Sequence, residues 1–291
     1  MNHSLSVATL LSIALLALPG ADVLAQTSEA TLDKIARTGE FVMGYRADSS
    51  PLSYESANGE PSGYSVDLCR RISASIKAHF AGKNIDAKFI RISSEERISA
   101  VVDGRIDIEC GATTITLSRL ERVDFSLPTF VTGGSVLSLA TTGIDSIADL
   151  SGKKIGVLRD TTTVEQLRSY LGGNEIDAEL IIVKDRSEGM SRLNQGDIHA
   201  LASDQIVLIG QVMKAPDPER YSIGSEIFSY EPYGLVVRRN DADFRLVVDR
   251  AISQLYRSGQ HADIFYRWIG QYGIDVPPIV AAMYQLNALP E

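Results

Sequence analysis

Cysteine, histidine and tryptophan are scarce in this chain of 291 residues, which contains two cysteines, four histidines and one tryptophan. The four histidines are scattered along the chain and no CxxC pair occurs, so the ligand spacing of a zinc site is missing. Phosphate-binding, dinucleotide-binding and GxSxG signatures are also missing from any strand-to-helix context. The sequence therefore predicts no metal, no cofactor and none of the common nucleophilic active sites.

Basic residues are fewer than acidic residues, at 28 against 37, and the formal net charge is −9. An acidic surface is repelled by phosphate backbones and by anionic lipid headgroups. We therefore expect neither nucleic acid nor an anionic membrane as a partner.

A run of apolar residues long enough to span a bilayer, roughly 18 residues, is also missing. A shorter, largely apolar stretch lies between Ala8 and Pro19 and is followed by Val23-Leu24-Ala25 before Gln26. This pattern predicts a cleaved secretory signal at residues 1–25. No cysteine follows it as a lipid anchor would require, so we expect a soluble periplasmic protein.

What the chain does have is 44% apolar residues, enough to build large cores in one bilobal unit or in two domains. In an oxidising compartment Cys69 and Cys110 could form a disulfide, because Cys69 falls on a predicted helix and Cys110 on a predicted strand. Two buried free thiols are the alternative, and the sequence leaves both open.

The segment SSEERISAVVDGRIDIECGATTITLSRLER, residues 93–122, is the most informative in the chain. Ser93 and Glu96 have the spacing of a capping box, and the helical pattern that follows ends at Asp103-Gly104. Isoleucines then alternate with acidic residues, which predicts a half-buried strand with Glu109 on its outward side.

Hydroxyl residues and an arginine follow that strand, in the run Ala112, Thr113, Thr114, Thr116 and Arg119. At the carboxyl end of a strand, free N–H groups, hydroxyls and a guanidinium together form an anion site. A surface loop with an incidental arginine is the alternative that this segment alone permits.

The run GATTITLSRLERVDFSLP resembles the signature of the family 3 periplasmic solute-binding proteins of ABC importers, whose ligands are polar amino acids. The segments GYSVDLCRRI, DLSGKKIGVL, PYGLVVRRND and AISQLYRSGQHADIFYRWIG extend the resemblance over nearly everything after residue 30. It implies an α/β, bilobal, type II Venus-flytrap fold with two hinge strands. It also implies a monomeric, non-enzymatic binder that delivers its ligand to a membrane permease.

Two segments of the sequence share one pattern, which we call the internal echo, and this repeat predicts two similar lobes. VVDGRIDIECGA and LNQGDIHALASD both contain a helix end, a glycine turn and a strand led by isoleucine. We predict lobe 1 at residues 26–131 and 234–291, and lobe 2 at residues 132–233. The predicted chain crossings are Thr129 to Gly134 and Tyr233 to Val237, and two such strands would allow hinge motion.

The resemblance assigns the ligand α-carboxylate to Arg119, with backbone and hydroxyl partners at Ala112 and Thr114; the glutamate/aspartate branch has serine where this chain has Ala112. A guanidinium matches a planar carboxylate in a bidentate way. The α-amino group is assigned to Asp204, for which an N-cap role is the alternative.

A helix start at Thr161 and Thr162 is expected to reach the same α-carboxylate with free N–H groups. Thr162 and Glu165 are spaced as a capping box. Asp160 stands where family members often carry glycine, and we expect its side chain to point away from the ligand and cap the helix.

Side-chain selectivity is assigned to Arg46 and Arg97, with Ser94, which match positions around the distal carboxylate in the glutamate/aspartate branch. Arg186 stands where that branch has histidine. Tyr54 is expected to stack on the aliphatic part of the ligand, with a core tyrosine as the alternative. The resemblance therefore implies glutamate or aspartate as ligand.

Three other functions stay open at this point. The first is binding of glutamine or asparagine, and the sequence also does not separate glutamate from aspartate, because one methylene changes affinity only modestly. The second is an enzyme resembling periplasmic cyclohexadienyl dehydratases, with Asp204 or Glu109 as general acid. The third is a sensory input domain, which usually lies on a chain with transmembrane segments.

Overall fold

The computed structural model describes residues 29–291, so the predicted signal at residues 1–25 lies outside the described part. The strands in chain order are β1 Glu40–Arg46, β2 Asp48–Ser49, β3 Ser53–Glu55, β4 Pro61–Ser62, β5 Asp86–Ile92, β6 Ile108–Glu109, β7 Val123–Phe125, β8 Phe130–Thr132, β9 Gly134–Leu139, β10 Lys154–Leu158, β11 Glu179–Val183, β12 Ala200–Asp204, β13 Tyr221–Ile223, β14 Glu231–Tyr233 and β15 Val236–Arg238. The α-helices are α1 Thr31–Thr38, α2 Tyr64–His79, α3 Arg97–Val102, α4 Leu117–Leu120, α5 Thr162–Gly173, α6 Arg186–Gln195, α7 Gln205–Lys214, α8 Ala242–Ser258, α9 His261–Trp268 and α10 Pro278–Leu286.

Two five-stranded sheets form the framework. The first has the order β5-β1-β6-β15-β7 and the second the order β11-β10-β12-β9-β13. In each sheet the first three strands of this order are parallel. The fourth strand runs antiparallel to the third, and the fifth runs antiparallel to the fourth. We call the part built on the first sheet lobe 1 and the part built on the second sheet lobe 2.

The internal echo in the sequence falls on matching strands. β6 and β12, which carry its second half, are each the third strand of their sheet. Each begins after a helix that precedes it in the chain, α3 for β6 and α6 for β12. The two lobes therefore repeat one α/β plan.

The chain passes between the lobes through an antiparallel pair, β8 with β14. The first crossing lies inside the predicted Thr129 to Gly134. The predicted second crossing, Tyr233 to Val237, is wrong beyond its first residue, because Val236 and Val237 already pair with β6 and β7 in the first sheet. The lobe boundaries given above remain a prediction.

The disulfide left open by the sequence is formed between Cys69 on α2 and Cys110, just after β6, with a sulfur–sulfur distance of 2.07 Å. Both residues lie in the main core of lobe 1, together with residues of β1, α8 and α9. The cross-link therefore fixes helix α2 directly behind the loop that follows β6.

The segment AISQLYRSGQHADIFYRWIG, residues 251–270, is typical of a single closing helix in the sequence. In the structure it lies on two helices, α8 and α9. α8 ends at Ser258, and Gly259 adopts a left-handed φ of 76° that a residue with a side chain rarely takes. α9 then packs Ile264 and Phe265 into the lobe 1 core.

Among residues 29–291, no helix is both long and apolar enough to cross a membrane. Within the same range, no three His, Cys, Asp or Glu side chains come together in a group that could hold a metal ion.

Candidate functional site

Three buried arginines come from both lobes and lie in the cleft between them. Arg46 is the last residue of β1, Arg97 the first of α3, and Arg186 the first of α6. Each is at most 4% exposed, and the Nε atom of each has no hydrogen-bond partner among the described residues. Burial, with Arg119 and Arg46 nearby, lowers the pKa of Arg97 to about 9, so this guanidinium stays charged at neutral pH.

Asp48 lies between two of these arginines. One carboxylate oxygen, Oδ1, is 2.7 Å from Nη2 of Arg46 and 3.5 Å from Nη1 of Arg186. Burial would raise the pKa of Asp48, but the charges of Arg186 and Arg46 outweigh it and lower the pKa to about 2. Asp48 is not among the site residues that we predicted from the sequence.

Arg97 spans the cleft through its guanidinium. It donates to the carbonyl oxygen of Ser94, at 2.9 Å, and to that of Asp160 in lobe 2, also at 2.9 Å. Ser93 and Glu96 form the predicted capping box, with distances of 3.1 and 3.2 Å, and α3 begins immediately after it. The capping turn thus sets the direction of Arg97.

Arg119 lies on α4, near enough to Arg97 for its charge to lower the pKa of Arg97. It is held by the side chain of Thr116, which accepts from the Arg119 N–H, and its Nη1 donates to the carbonyl oxygen of Thr114 at 2.7 Å. Burial lowers the pKa of Arg119, while the carboxylates of Glu231 and Glu109 act in the opposite direction. The guanidinium stays charged and lies among acids of both lobes.

Glu231 on β14 is fully buried and accepts three hydroxyl hydrogen bonds. Thr114 of lobe 1 donates at 2.6 Å, Thr162 of lobe 2 at 2.8 Å and Ser229 at 2.7 Å. The hydroxyls of Thr114 and Thr162 are themselves 3.4 Å apart. Glu231 therefore fixes the orientation of two predicted site hydroxyls, one from each lobe.

Asp204 ends β12 and is buried. The hydroxyl of Tyr233 donates to its Oδ2, whereas Oδ1 has no partner among the described residues. The alternative N-cap role does not apply, because the side chain makes no capping hydrogen bond to α7. Burial and the nearby Glu231 raise the pKa of Asp204 to about 6.

Glu109 lies on the inside of the protein, and the prediction that it faces outward is wrong. It is fully buried, and neither carboxylate oxygen has a hydrogen-bond partner in the part of the chain described. A Cβ on Gly111 would lie 1.8 Å from its Oε1, so the absence of a side chain at Gly111 makes room for it. Burial raises the pKa of Glu109, and Arg97 and Arg46 oppose this.

The start of α5 differs from expectation in its capping. Thr161 is the N-cap, and its hydroxyl donates to the carbonyl of Leu158 instead of capping the helix. Thr162 donates to Glu231 and Glu165 pairs with Arg168, so the predicted capping box is wrong. Asp160 does not cap the helix either; its φ of 56° is the left-handed conformation that glycine adopts readily.

The aromatic ring of Tyr54 contacts Lys214 and Trp268, which are not among the buried arginines. Its centroid is 3.2 Å from Nζ of Lys214 in lobe 2 and 6.1 Å from the ring of Trp268. These contacts support the packing alternative, and stacking on a ligand remains a prediction. Ala112 is half-buried and packs on the lobe 1 core.

Two depressions open at the rim of the cleft, on either side of Ser94. One has a volume of about 480 Å³ and is lined in part by Arg46, Asp48 and Asp185. The other has a volume of about 330 Å³ and is lined in part by Arg97 and Arg119. Both depressions lie next to the buried arginines. This is the position expected for entrances to a closed polar cleft.

The cleft presents buried cations and acids from both lobes, next to the hinge strands. Such a site is suited to binding the carboxylate and ammonium groups of a zwitterion. Comparison with known proteins agrees with this geometry. Residues 41–271 match the family of bacterial extracellular solute-binding proteins, family 3. The chain belongs to this family.

Two curated family 3 relatives match most of the chain. The L-glutamate/L-aspartate-binding protein of Pseudomonas aeruginosa is 35% identical over 272 residues, which are 93% of this chain and 89% of that protein. The glutamate/aspartate import solute-binding protein of Escherichia coli strain K12 is 32% identical over 260 residues, 89% of this chain and 86% of that protein.

Among solved structures, a periplasmic binding protein of an ABC transporter from Brucella ovis, with glutathione bound, superposes with a TM-score of 0.74. It is 25% identical and covers 90% of this chain and 81% of its own. The predicted family membership and the α/β bilobal fold are both confirmed.

Sequence reasoning about this family 3 protein missed two acids, Asp48 and Glu231, and placed a third, Glu109, on the wrong side of its strand. Asp48 lies two residues after Arg46, a spacing that could have suggested an ion pair. Gly111 could have suggested a neighbouring bulky group above its backbone. For Glu231 no local signal existed, because its hydroxyl partners Thr114 and Thr162 are 117 and 69 residues away in the chain.

Proposed function

We propose that this protein binds an acidic L-amino acid, glutamate or aspartate, between its lobes and delivers it to the permease of an ABC importer. The observation that carries the proposal is that the charges of Arg46, Arg119 and Arg186 all act on buried Arg97, so four arginines share one cleft. The glutamate/aspartate names of the two relatives above support the choice of ligand.

The α-carboxylate is assigned to Arg119 and to the free N–H groups at the start of α5. Guanidinium and helix N-terminal N–H groups are both donors, as a carboxylate requires. The backbone at Ala112 lies in the same loop as Thr114 and is assigned to the α-group end as well.

The ammonium group is assigned to Asp204, whose Oδ1 has no partner among the described residues. Glu231 adds to this assignment. A carboxylate only accepts hydrogen bonds, so Thr114 and Thr162 direct their hydrogens to Glu231 and leave oxygen lone pairs for other donors. These hydroxyls therefore suit an ammonium better than a carboxylate, and Thr161 is assigned only a backbone role.

The distal carboxylate is assigned to Arg97 and Arg46, with Ser94 beside them and Arg186 closing from lobe 2. Arg97 is the strongest candidate for two reasons. Its guanidinium donates to neutral carbonyl oxygens, and it forms no ion pair with another residue in the described range 29–291. Tyr54 keeps the stacking role only as a prediction.

Closure follows from the division of these groups between the lobes. Arg97 and Arg119 come from lobe 1 and Asp204 and the start of α5 from lobe 2, so a ligand engages all of them only in the closed form. A ligand can stabilise that form by its higher affinity for it. Closed, loaded protein, secreted to the periplasm as a monomer, would then present itself to the permease, and a separate ATPase would supply the energy.

The test is a thermal-shift screen against the twenty amino acids, followed by calorimetry. A ligand that binds only the folded state raises its melting temperature. We expect glutamate and aspartate to give the largest shifts. A larger shift with glutamine or asparagine would replace the ligand, and no shift with any amino acid would overturn the proposal.

A parallel incubation with prephenate or arogenate separates binding from catalysis. The two relatives are named as binding proteins, so we expect no turnover. Product formation that is lost in Asp204→Asn would instead place the chain among dehydratase-like enzymes.

A further inference from the structure

Arg46 and Arg186 are two like charges that the closed cleft brings together from opposite lobes. Both are buried, and the same oxygen of Asp48 contacts both, so their terminal nitrogens lie within about 6 Å of each other. Burial together with the charge of Arg186 lowers the pKa of Arg46, which reflects this repulsion. Without a counter-charge, closing the cleft would push two guanidinium groups together in a poorly solvated place.

Asp48 supplies that counter-charge and does so across the lobes. Its Oδ1 contacts Arg46 and Arg186, and its Oδ2 accepts from the backbone N–H of Arg186 at 3.4 Å, at the start of α6. A carboxylate at a helix N-terminus is additionally stabilised by the helix dipole. Glu109 also acts on Arg46, but no Arg–Glu109 ion pair within 4 Å is present among the described residues.

The backbone around Asp48 is seated firmly against lobe 2. Nη1 of Arg186 donates to Oγ of Ser49 at 3.1 Å, and Nε2 of Gln211 donates to the carbonyl of Asp48 at 3.0 Å. A Cβ on Gly210 of α7 would lie 2.1 Å from the carbonyl oxygen of Ser50. The segment from Asp48 to Pro51 thus approaches α7 so closely that a side chain on residue 210 would not fit.

We propose that Asp48 is a built-in counter-carboxylate, a positioning residue that joins Arg46 and Arg186 and lets the cleft close without a distal carboxylate on the ligand. Closure of the ligand-free protein is then stabilised by the chain itself. The consequence for selectivity rests on the proposed function: a neutral side chain such as that of glutamine is tolerated because Asp48 already neutralises the two arginines.

Loss of the Asp48 charge has opposite consequences for acids and amides. In Asp48→Asn the two arginines face each other in the closed form without a counter-ion. A ligand carboxylate can take over the neutralising role, whereas an amide cannot. Glutamine should therefore lose far more affinity than glutamate, and preference for the acid should rise.

The experiment compares four proteins: wild type, Asp48→Asn, the double variant Asp48→Asn/Arg186→Met, and Glu40→Gln as control. Glu40 pairs with Lys88 on the exposed start of β1 in lobe 1, so its variant removes one negative charge without touching the cleft. Small-angle X-ray scattering gives the radius of gyration of each ligand-free protein. Calorimetry gives the affinities for L-glutamate and L-glutamine.

We expect a larger ligand-free radius for Asp48→Asn than for wild type or Glu40→Gln, and a smaller radius again in the double variant, where the repulsion is gone. The glutamate-to-glutamine affinity ratio should rise about fivefold or more in Asp48→Asn and stay constant in Glu40→Gln. An unchanged radius, or a ratio that stays constant or falls in Asp48→Asn, would overturn the proposal.

Two outcomes keep this test separate from the proposed function. If wild type binds neither glutamate nor glutamine, the proposed function fails and the scattering comparison alone decides the role of Asp48. If Asp48→Asn does not fold, recovery of a folded protein in the double variant supports repulsion between Arg46 and Arg186, and failure of both variants to fold overturns it.

Discussion

Lobe 1 and lobe 2 share a sheet order but differ in the charged groups that they contribute to the cleft. β1 and β10 occupy the same place in their sheets, yet β1 ends in Arg46 whereas β10 leads to the uncharged threonines at the start of α5. β6 and β12 also correspond. β6 ends in buried Glu109 and leads to the loop before Arg119, whereas β12 ends in buried Asp204 and leads directly into α7. One scaffold thus gives lobe 1 three of the four cleft arginines, Arg46, Arg97 and Arg119, whereas lobe 2 contributes Arg186 and Asp204.

The lobes also differ in how strongly their side of the cleft is braced. In lobe 1, the disulfide from Cys69 to Cys110 stands behind the site loop, and Tyr64 donates to the carbonyl of Thr129 near the first crossing. In lobe 2, the site groups Asp204 and Thr162 bond to Tyr233 and Glu231, which belong to the crossing strand. We therefore expect the ligand to meet a preformed lobe 1 first, with lobe 2 closing over it.

The largest expected effect is that of Arg119→Ala in lobe 1. It would leave the α-carboxylate, common to all amino acids, buried without its charged partner, at a cost of about 3 kcal/mol or more. Binding of every amino acid should disappear in calorimetry, while the melting temperature of the ligand-free protein should change little. Affinity close to that of wild type would remove Arg119 from the site.

A somewhat smaller and more selective loss is expected for Arg97→Met, also in lobe 1. It should cost glutamate or aspartate about 2 kcal/mol more than the corresponding amide, because only the acid is left with an unpaired buried charge. Arg46→Met should show the same sign, and the double variant should be non-additive because both groups share one carboxylate. Equal losses for acid and amide would make these arginines scaffold residues.

On the lobe 2 side, Asp204 should make binding depend on pH. Its pKa is about 6 in the ligand-free protein against an ordinary value of 3.8, and pairing with an ammonium requires the charged form. Affinity should therefore rise about tenfold from pH 5 to pH 7, and the ligand-free protein should lose stability as the pH rises from 3.8 through about 6. Calorimetry across this range measures the first effect.

Two controls accompany the pH experiment. Asp204→Asn should weaken amino-acid binding and flatten the pH dependence. Glutarate, which lacks the amine, should bind the variant and wild type alike. Equal loss of glutamate and glutarate would mean that Asp204 does not hold the ammonium group.

The smallest expected effect is that of Gly210→Ala, which tests the approach of the lobes and not either set of charges. The added methyl would meet the carbonyl oxygen of Ser50 in the closed form only, so affinity should fall several-fold for acids and amides equally. Gly172→Ala on α5, with nothing within 4 Å of its added carbon, is the matched control and should bind as wild type. Similar affinities for the two variants would show that closure leaves more room at Gly210.

The arginines were named from the sequence in two ways, since local pattern marked Arg119 alone and the family resemblance assigned Arg46, Arg97 and Arg186. Arg97 follows a capping box and Arg119 follows a strand and a run of threonines. Arg46 follows the apolar residues of β1. The structure brings these arginines into one cleft, together with Arg186 and Asp204.

The acids were harder to predict, for physical reasons that differ between them. Glu109 was placed outside because alternation was taken to mean a half-buried strand, but β6 is the third of five strands and both of its faces are covered. Glu231 is stabilised by hydroxyls from distant segments. Asp48 acquires its second arginine only when the lobes meet.

The pairing of β8 with β14 has a consequence for how this molecule could be divided. All strands of the second sheet lie in one continuous stretch between these two hinge strands, and the two ends of that stretch leave side by side. Lobe 2 is therefore an insertion with adjacent ends, the arrangement that tolerates excision and transplantation best. A graft of this stretch between relatives would carry Asp204 and Arg186 with it and leave Arg46, Arg97 and Arg119 behind.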